Sequence, residues 1–273
     1  MITEVQATSI QGTLLNMPLG EVSSGIFIKE IEGLDPVPAI IVSTGFPSQT
    51  GEQYQASKRG ARDIILHLGM EADYFLEEIA DVRNRIYQFF MPRTTVDLAF
   101  VDHNGVVFGI SGMIESCKAP LFVQDPAVDV VVRCFYSDFV NPEVVFDSDL
   151  TVSNTVMTTI EYVGTVETGF KFQLFPDRDV DEFTLYNEMP NGRLRQFDFA
   201  FPLHVGDSVT IDTVPGERGV TLSRSSAQSS ILYAKTPQSV WLDFWPGTNK
   251  FRAYAEGAGI PFILTYYNRY GGL

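Results

Sequence analysis

The chain has 273 residues, of which 45% are hydrophobic, 12% aromatic and 19% charged. That is enough apolar material for one large domain or two ordinary ones, and it excludes wholesale disorder. With 19 Lys and Arg against 34 Asp and Glu the formal charge is −15, which excludes a general binder of nucleic-acid phosphate.

The first region reads mostly as strands. Residues 25–31 and 38–43 are short β-prone runs separated by Gly33, Pro36 and Pro38. A polar loop follows at 47–53, and 62–68 reads as another strand. Residues 73–90 predict the one convincing helix. Phe75, Ile79, Val82, Ile86 and Phe90 recur at helical spacing and form one apolar face, read as core-facing. Glu71, Asp73, Glu77 and Glu78 crowd its start, where the helix dipole favours anions; Asp81 and Arg85 sit as an i,i+4 pair, and Pro92 stops it. A hairpin follows, with strands 96–101 and 106–110 about Asn104-Gly105, whose residue types supply the left-handed backbone of a tight turn. Residues 128–135 form a further strand.

A break falls near 137–142. After it the chain is almost pure strand and turn, with β runs at about 155–162, 167–175, 182–188, 196–201, 207–213, 218–223, 230–234, 240–245, 250–256 and 260–267. Turn signals such as Pro190-Asn191-Gly192 and Pro215-Gly216 lie between many of them. This spacing without helices predicts an antiparallel β-sandwich. The expected fold class is therefore mainly β: a β-rich α+β domain with one helix over 1–140, then a sandwich over 141–273. Acidity belongs to both parts, with 9 basic and 18 acidic residues in the first (net −9) and 10 and 16 in the second (net −6).

Catalytic chemistry finds little footing. His67, His103 and His204 are far apart and show no metal-ligand spacing, and there is no nucleophile elbow, Walker loop or dinucleotide fingerprint. The cluster Asp177, Asp179, Asp181 and Glu182 is read as a solvated acidic loop, with a weak surface Ca²⁺ site as the alternative, since Glu182 stands where an EF-hand loop needs glycine. Cys117 and Cys134, with sixteen residues between them, fit no zinc or redox spacing and are read as buried thiols. No catalytic residues, metal or cofactor are expected. No stretch is long enough to span a bilayer, and the start lacks a secretory leader, so folding in a cytoplasm without a membrane partner is expected.

Two parts of the chain, taken together, resemble a known family. The first is the stretch from Gly51-Glu52-Gln53-Tyr54 through Lys58-Arg59-Gly60-Ala61-Arg62-Asp63, followed by the helix, the hairpin and 112–122. The second is Gly206-Asp207-Ser208 through Pro215-Gly216, then Trp245-Pro246-Gly247-Thr248-Asn249 and the terminal Arg269-Tyr270-Gly271-Gly272-Leu273. Their order resembles the distal tail proteins of bacteriophages with long flexible tails. One departure is that Gly271 stands where the family pattern has tryptophan.

The resemblance implies an N-terminal domain forming a hexameric ring around the tail channel and a galectin-like C-terminal sandwich on its outside. It implies a virion protein of the tail tip, assembled in the host cytoplasm. The implied partners are further copies of the chain, the tail tube protein, the tail-tip hub protein and receptor-binding proteins, with DNA passing the acidic channel unbound. The strand near 260–270 either stays in the sandwich or crosses back to the first domain. Tyr54, Lys58, Arg59 and Arg62 read either as a subunit interface or as pairing within the chain. Trp241 and Trp245, four apart, would share a face in a strand; they read as core or as a glycan-stacking platform on the sandwich. Beside the structural role, a carbohydrate-binding module is the second reading and a polysaccharide-cleaving enzyme the third.

Overall fold

The computed structural model describes the chain except for residues 21, 23, 24, 48, 49 and 121–124, so parts of the expected polar loop and of the 112–122 motif lie outside the described residues. The chain divides into two compact units, Met1–Pro142 with Tyr270–Leu273, and Glu143–Arg269.

The first unit contains β1 (Ile2–Ser9), β2 (Leu14–Pro18), β3 (Gly25–Glu32), β4 (Ala39–Thr44), β5 (Gln53–Arg59), β6 (Arg62–Glu71), α1 (Ile79–Phe89), β7 (Thr95–Asp102), β8 (Val107–Lys118) and β9 (Ala127–Cys134). Seven of these strands pair antiparallel in the order β2-β1-β7-β8-β9-β6-β3. A parallel bridge between Leu19 and Ile28 links the two ends of that path. Strand β8 changes partner along its length: 107–113 pair with β7, 113–118 pair with β9, and the β9 register shifts between Ile114 and Ser116. A bulge adds twist and bends the strand where it changes partner.

Alternation decides which side is inside. Ile64, Leu66 and Leu68 on β6, Val128, Val130 and Val132 on β9, and Val96, Leu98 and Phe100 on β7 are all buried in one core. Helix α1 adds Val82, Ile86 and Phe89 to it.

The helix is shorter than its apolar periodicity predicts. It begins at Ile79, with Glu78 as N-cap, whose backbone N–H donates to Asp81 Oδ2 at 3.2 Å. A cap at Glu78 ends the helical turn before Phe75 can join the face. Phe75 is therefore 99% exposed rather than core-facing, and Tyr74 and Leu76 beside it are exposed too. Asp81 is engaged at the cap, and Arg85 pairs instead with Glu77 at 3.1 Å. In the β7–β8 turn only Gly105 takes a positive φ, +79°. The Asp102 carboxylate completes the turn by accepting the N–H groups of Asn104 and Val106, both at 2.8 Å.

Beyond β10 (Phe139–Leu150), the second unit contains β11 (Thr158–Tyr162), β12 (Phe170–Leu174), β13 (Val180–Glu188), β14 (Leu194–Leu203), β15 (Ser208–Asp212), β16 (Gly219–Arg224), β17 (Ala227–Ser230), β18 (Gly247–Tyr254) and β19 (Pro261–Tyr270). One sheet runs β17-β16-β15-β12-β19-β10 and the other β11-β18-β13-β14. Their buried faces meet in a phenylalanine core. Phe183 stacks on Phe199 at 4.5 Å, Phe170 on Phe244 at 4.7 Å, and Phe172 lies 5.0 Å from Phe262.

The division after Pro142 falls within the long strand β10. Two expectations shift. The run 230–234 is the end of β17 and a 3₁₀ turn at Leu232–Ala234. The run 240–245 is not a strand; its only ladder contact is an isolated bridge from Phe244 to Thr168. The mainly β class, with one helix among the described residues, is borne out.

Candidate assembly surfaces

Strands β4 and β5 form a two-stranded hairpin, paired from Ala39–Arg59 to Thr44–Gln53, and no third strand joins it among the described residues. Its apolar residues are largely open to solvent. Ile40, Ile41 and Val42 are 49%, 65% and 46% exposed, and Phe46 and Tyr54 are exposed as well. Consecutive residues of a strand point to opposite sides, so both faces of this arm are apolar and open to solvent. A lone hairpin is marginal in water. Local side-chain bonds support it, from Gln55 Nε2 to Thr44 Oγ1 at 2.5 Å and between Tyr54 Oη and Ser57 Oγ at 2.8 Å.

The root of the arm is held firmly. Arg59 pairs with Asp138 at 3.1 Å. Arg62, the first residue of β6, is buried, and its guanidinium donates only to carbonyls. Nε reaches Ser137 at 2.8 Å, Nη1 reaches Gly33 at 2.5 Å and Asp35 at 2.8 Å, and Nη2 reaches Gly271. The group stacks over Phe139 at 4.5 Å. Burial lowers its pKa, with Cys134, Asp138 and Asp35 acting weakly the other way. Gly33 has φ +85°, and a Cβ there would lie 2.0 Å from the Asp63 carbonyl, so only glycine brings its own carbonyl to Arg62.

The four residues singled out as an interface therefore separate. Tyr54 and Lys58 lie exposed on the arm, whereas Arg59 is engaged at its root and Arg62 faces inward. Arg62 is not available to a neighbouring subunit. Elsewhere in this unit a cavity of about 490 Å³ is lined by Ile28, Leu34, Phe108, Tyr270 and Leu273 among others.

On the outer face of β3, β6 and β9, His67 Nδ1 lies 2.7 Å from Asp129 and Nε2 lies 3.2 Å from Glu32. Its pKa is raised: the bond to Asp129 leads, burial opposes it, and Glu32 adds to it. A raised folded-state pKa stabilises below the unfolded value of about 6.5, and that gain is lost as pH rises through the folded value. His67→Gln should thus lower the urea midpoint more at pH 6 than at pH 8.5. An equal effect at both would show that the charge on His67 contributes nothing.

In the second unit the two tryptophans part company. Trp241 is half-buried and packs on Phe197 at 5.4 Å; Trp245 is exposed and donates its indole N–H to Asp243 at 2.7 Å. Because 240–245 is not a strand, spacing four does not give them a shared face. Trp241 lines an open groove of about 670 Å³ with Arg193, Arg195, Arg218 and Gln238. Sequence reasoning missed that groove, since its lining comes from three separated segments.

The acidic stretch 177–182 does not converge. Asp177 pairs with Arg178, and Asp179 lies 3.1 Å from His204. Among the described residues no three His, Cys, Asp or Glu gather to hold a metal, and no helix is long and apolar enough to cross a membrane. Burial pushes the Cys117 thiol up to about 11 and Cys134 to about 12.

Comparison with known proteins adds the following. Residues 163–270 match the family model for the siphovirus-type tail component, C-terminal domain. No curated protein matches the chain. The crystal structure of SPP1 Dit (gp 19.1) protein, described as a paradigm of hub adsorption apparatus in Gram-positive infecting phages, is similar with a TM-score of 0.67 and 14% identity, covering 97% of this chain and 98% of that one. The phage P2 baseplate in its activated conformation with Ca is similar at 0.49 and 9% identity, covering 100% of each chain; with Sr the values are 0.46 and 10%, covering 97% of this chain and 98% of that one. The likeness to SPP1 Dit is one of fold along nearly the whole chain. The resemblance to siphophage distal tail proteins is thereby borne out.

Proposed function

We propose, from the premise that residues 163–270 form a siphovirus-type tail-component domain, that the chain is a non-enzymatic ring subunit of a phage tail tip. In this reading the ring joins the tail tube to the tail-tip hub and carries the host-attachment parts. The observation that carries it is the β4–β5 arm, an unsupported hairpin with both faces apolar and both strand edges unpaired. Such an element suits addition to a neighbour: main-chain groups extend the neighbour's sheet, and Ile40, Ile41, Val42 and Tyr54 cover apolar surface. A ring closes through heterologous contacts, in which one patch meets a different patch on the next copy. The exposed Tyr74-Phe75-Leu76 knob and the apolar cavity of the first unit are further surfaces for such contacts. The net charge of −15 suits a wall that DNA passes without adhering.

The test is light scattering of the full chain, alone and mixed with tail tube and hub proteins. The wild type should give a closed particle near six times 30.4 kDa, six being the copy number the resemblance implies. The double variant Ile41→Asp, Tyr54→Ser should stay monomeric in every mixture with a melting temperature within a few degrees of the wild type, because both side chains are exposed and outside the core and the Tyr54–Ser57 bond is confined to the arm. Assembly of that variant as in the wild type would remove the arm from the interface. A wild type that is monomeric in all mixtures would sink the ring reading.

A further inference from the structure

The groove beside Trp241 combines three features that belong together chemically. First, it is cationic in an acidic protein: Arg193, Arg195 and Arg218 line it, and no carboxylate does. Second, the charges are not equivalent. Arg195 is neutralised by Asp243, whereas Arg193 and Arg218 are exposed and have no carboxylate partner among the described residues. Third, Trp241 presents a half-buried ring held by Phe197, with the Arg218 guanidinium 5.9 Å from the ring centre.

The lining is assembled from the start of β14, the turn before β16 and the segment 238–241, so the concavity exists only in the folded sandwich. Ser239 beneath it is fully engaged: its Oγ accepts the Asp198 N–H at 2.7 Å and donates to the Asp198 carbonyl at 3.0 Å, which pins the segment carrying Trp241.

Two unneutralised guanidinium groups fit one anionic group, held by forked charge-assisted bonds. A flat indole beside them fits the apolar C–H face of a sugar ring, and Gln238 fits hydroxyls. We infer that this groove binds a saccharide bearing a carboxylate or a phosphate. An acidic protein segment fits less well. It brings several charges where two cations are free, and it has no flat apolar face for the indole.

Calorimetric titration of the full chain tests this. The probes are a trisaccharide ending in one glucuronate for the carboxylate source, maltotriose monophosphate for the phosphate source, chitotriose as a neutral control, and a hexaglutamate peptide. Saturable binding is expected for at least one acidic oligosaccharide, weakening as salt is added. Which one binds identifies the anion. Arg193→Ala with Arg218→Ala, both exposed and outside the core, should weaken it about tenfold or more. Trp241→Leu should weaken the same ligand while leaving the melting temperature within a few degrees. Equal binding of chitotriose, no binding of either acidic oligosaccharide, or preference for hexaglutamate would each overturn the inference. None of these outcomes bears on ring assembly, which is read separately by particle mass.

Discussion

Arg62→Met should cost the protein at least about 3 kcal/mol, read as a lowered urea midpoint, because it removes the charged donor shared by four carbonyls around a buried site. Methionine fills most of the volume and still stacks on Phe139, so lost volume does not explain such a loss. The carbonyls of Gly33, Asp35, Ser137 and Gly271 come from three stretches of chain, and each would lose the guanidinium N–H that it accepts. Lysine should recover only part of the loss. Its ammonium is a point charge with three donors, and it cannot match the planar fork that reaches four oxygens. A change under about 1 kcal/mol for Arg62→Met would mean that water or neighbouring donors replace the guanidinium.

Phe172→Ala should cost about 3–5 kcal/mol by the same measurement. The ring is fully buried in the centre of the sandwich, 5.0 Å from Phe262, 6.0 Å from Phe183 and 6.2 Å from Phe251. Rigid aromatic neighbours cannot collapse into the gap, so the cavity term adds to the lost transfer energy. Phe172→Leu should cost clearly less, since it keeps most of the volume. If both variants cost the same, the stacking geometry rather than the filled space would be what matters.

The strands that bury one face were legible because alternation is a direct imprint of a core. Runs such as Ile64, Leu66, Leu68 and Val128, Val130, Val132 announce both the strand and its inner side. The same rule places Arg62 inward, since it continues the row of Ile64 and Leu66. Grouping it with Lys58 and Arg59 by charge hid that signal. Strand β5 was not legible because neither of its faces meets a core, so Gln53–Arg59 carries no period. The helix start failed for the opposite reason: the period was present, and the capping residues Glu78 and Asp81 overruled it. The Trp241 groove was beyond reach, because residues 193, 218 and 241 flank strands of two different sheets or lie in a loop, and they meet only in the folded sandwich.

The first unit is not continuous in the chain: Tyr270–Leu273 belong to it, while Glu143–Arg269 do not. Gly271 offers its carbonyl to Arg62, and the Leu273 N–H donates to Leu34 at 3.0 Å. Gly272 packs so closely that a Cβ would lie 2.7 Å from Pro36 Cδ. On the ribosome, then, the strand-rich N-terminal half emerges early but cannot make these contacts until residues 270–273 have followed the second unit. Subunits interrupted within the second unit would leave Arg62 short of an acceptor and the 33–36 loop without its cover. The root of the arm is thus completed by a segment that lies beyond the whole second unit in the chain, and only in molecules translated as far as Tyr270–Leu273.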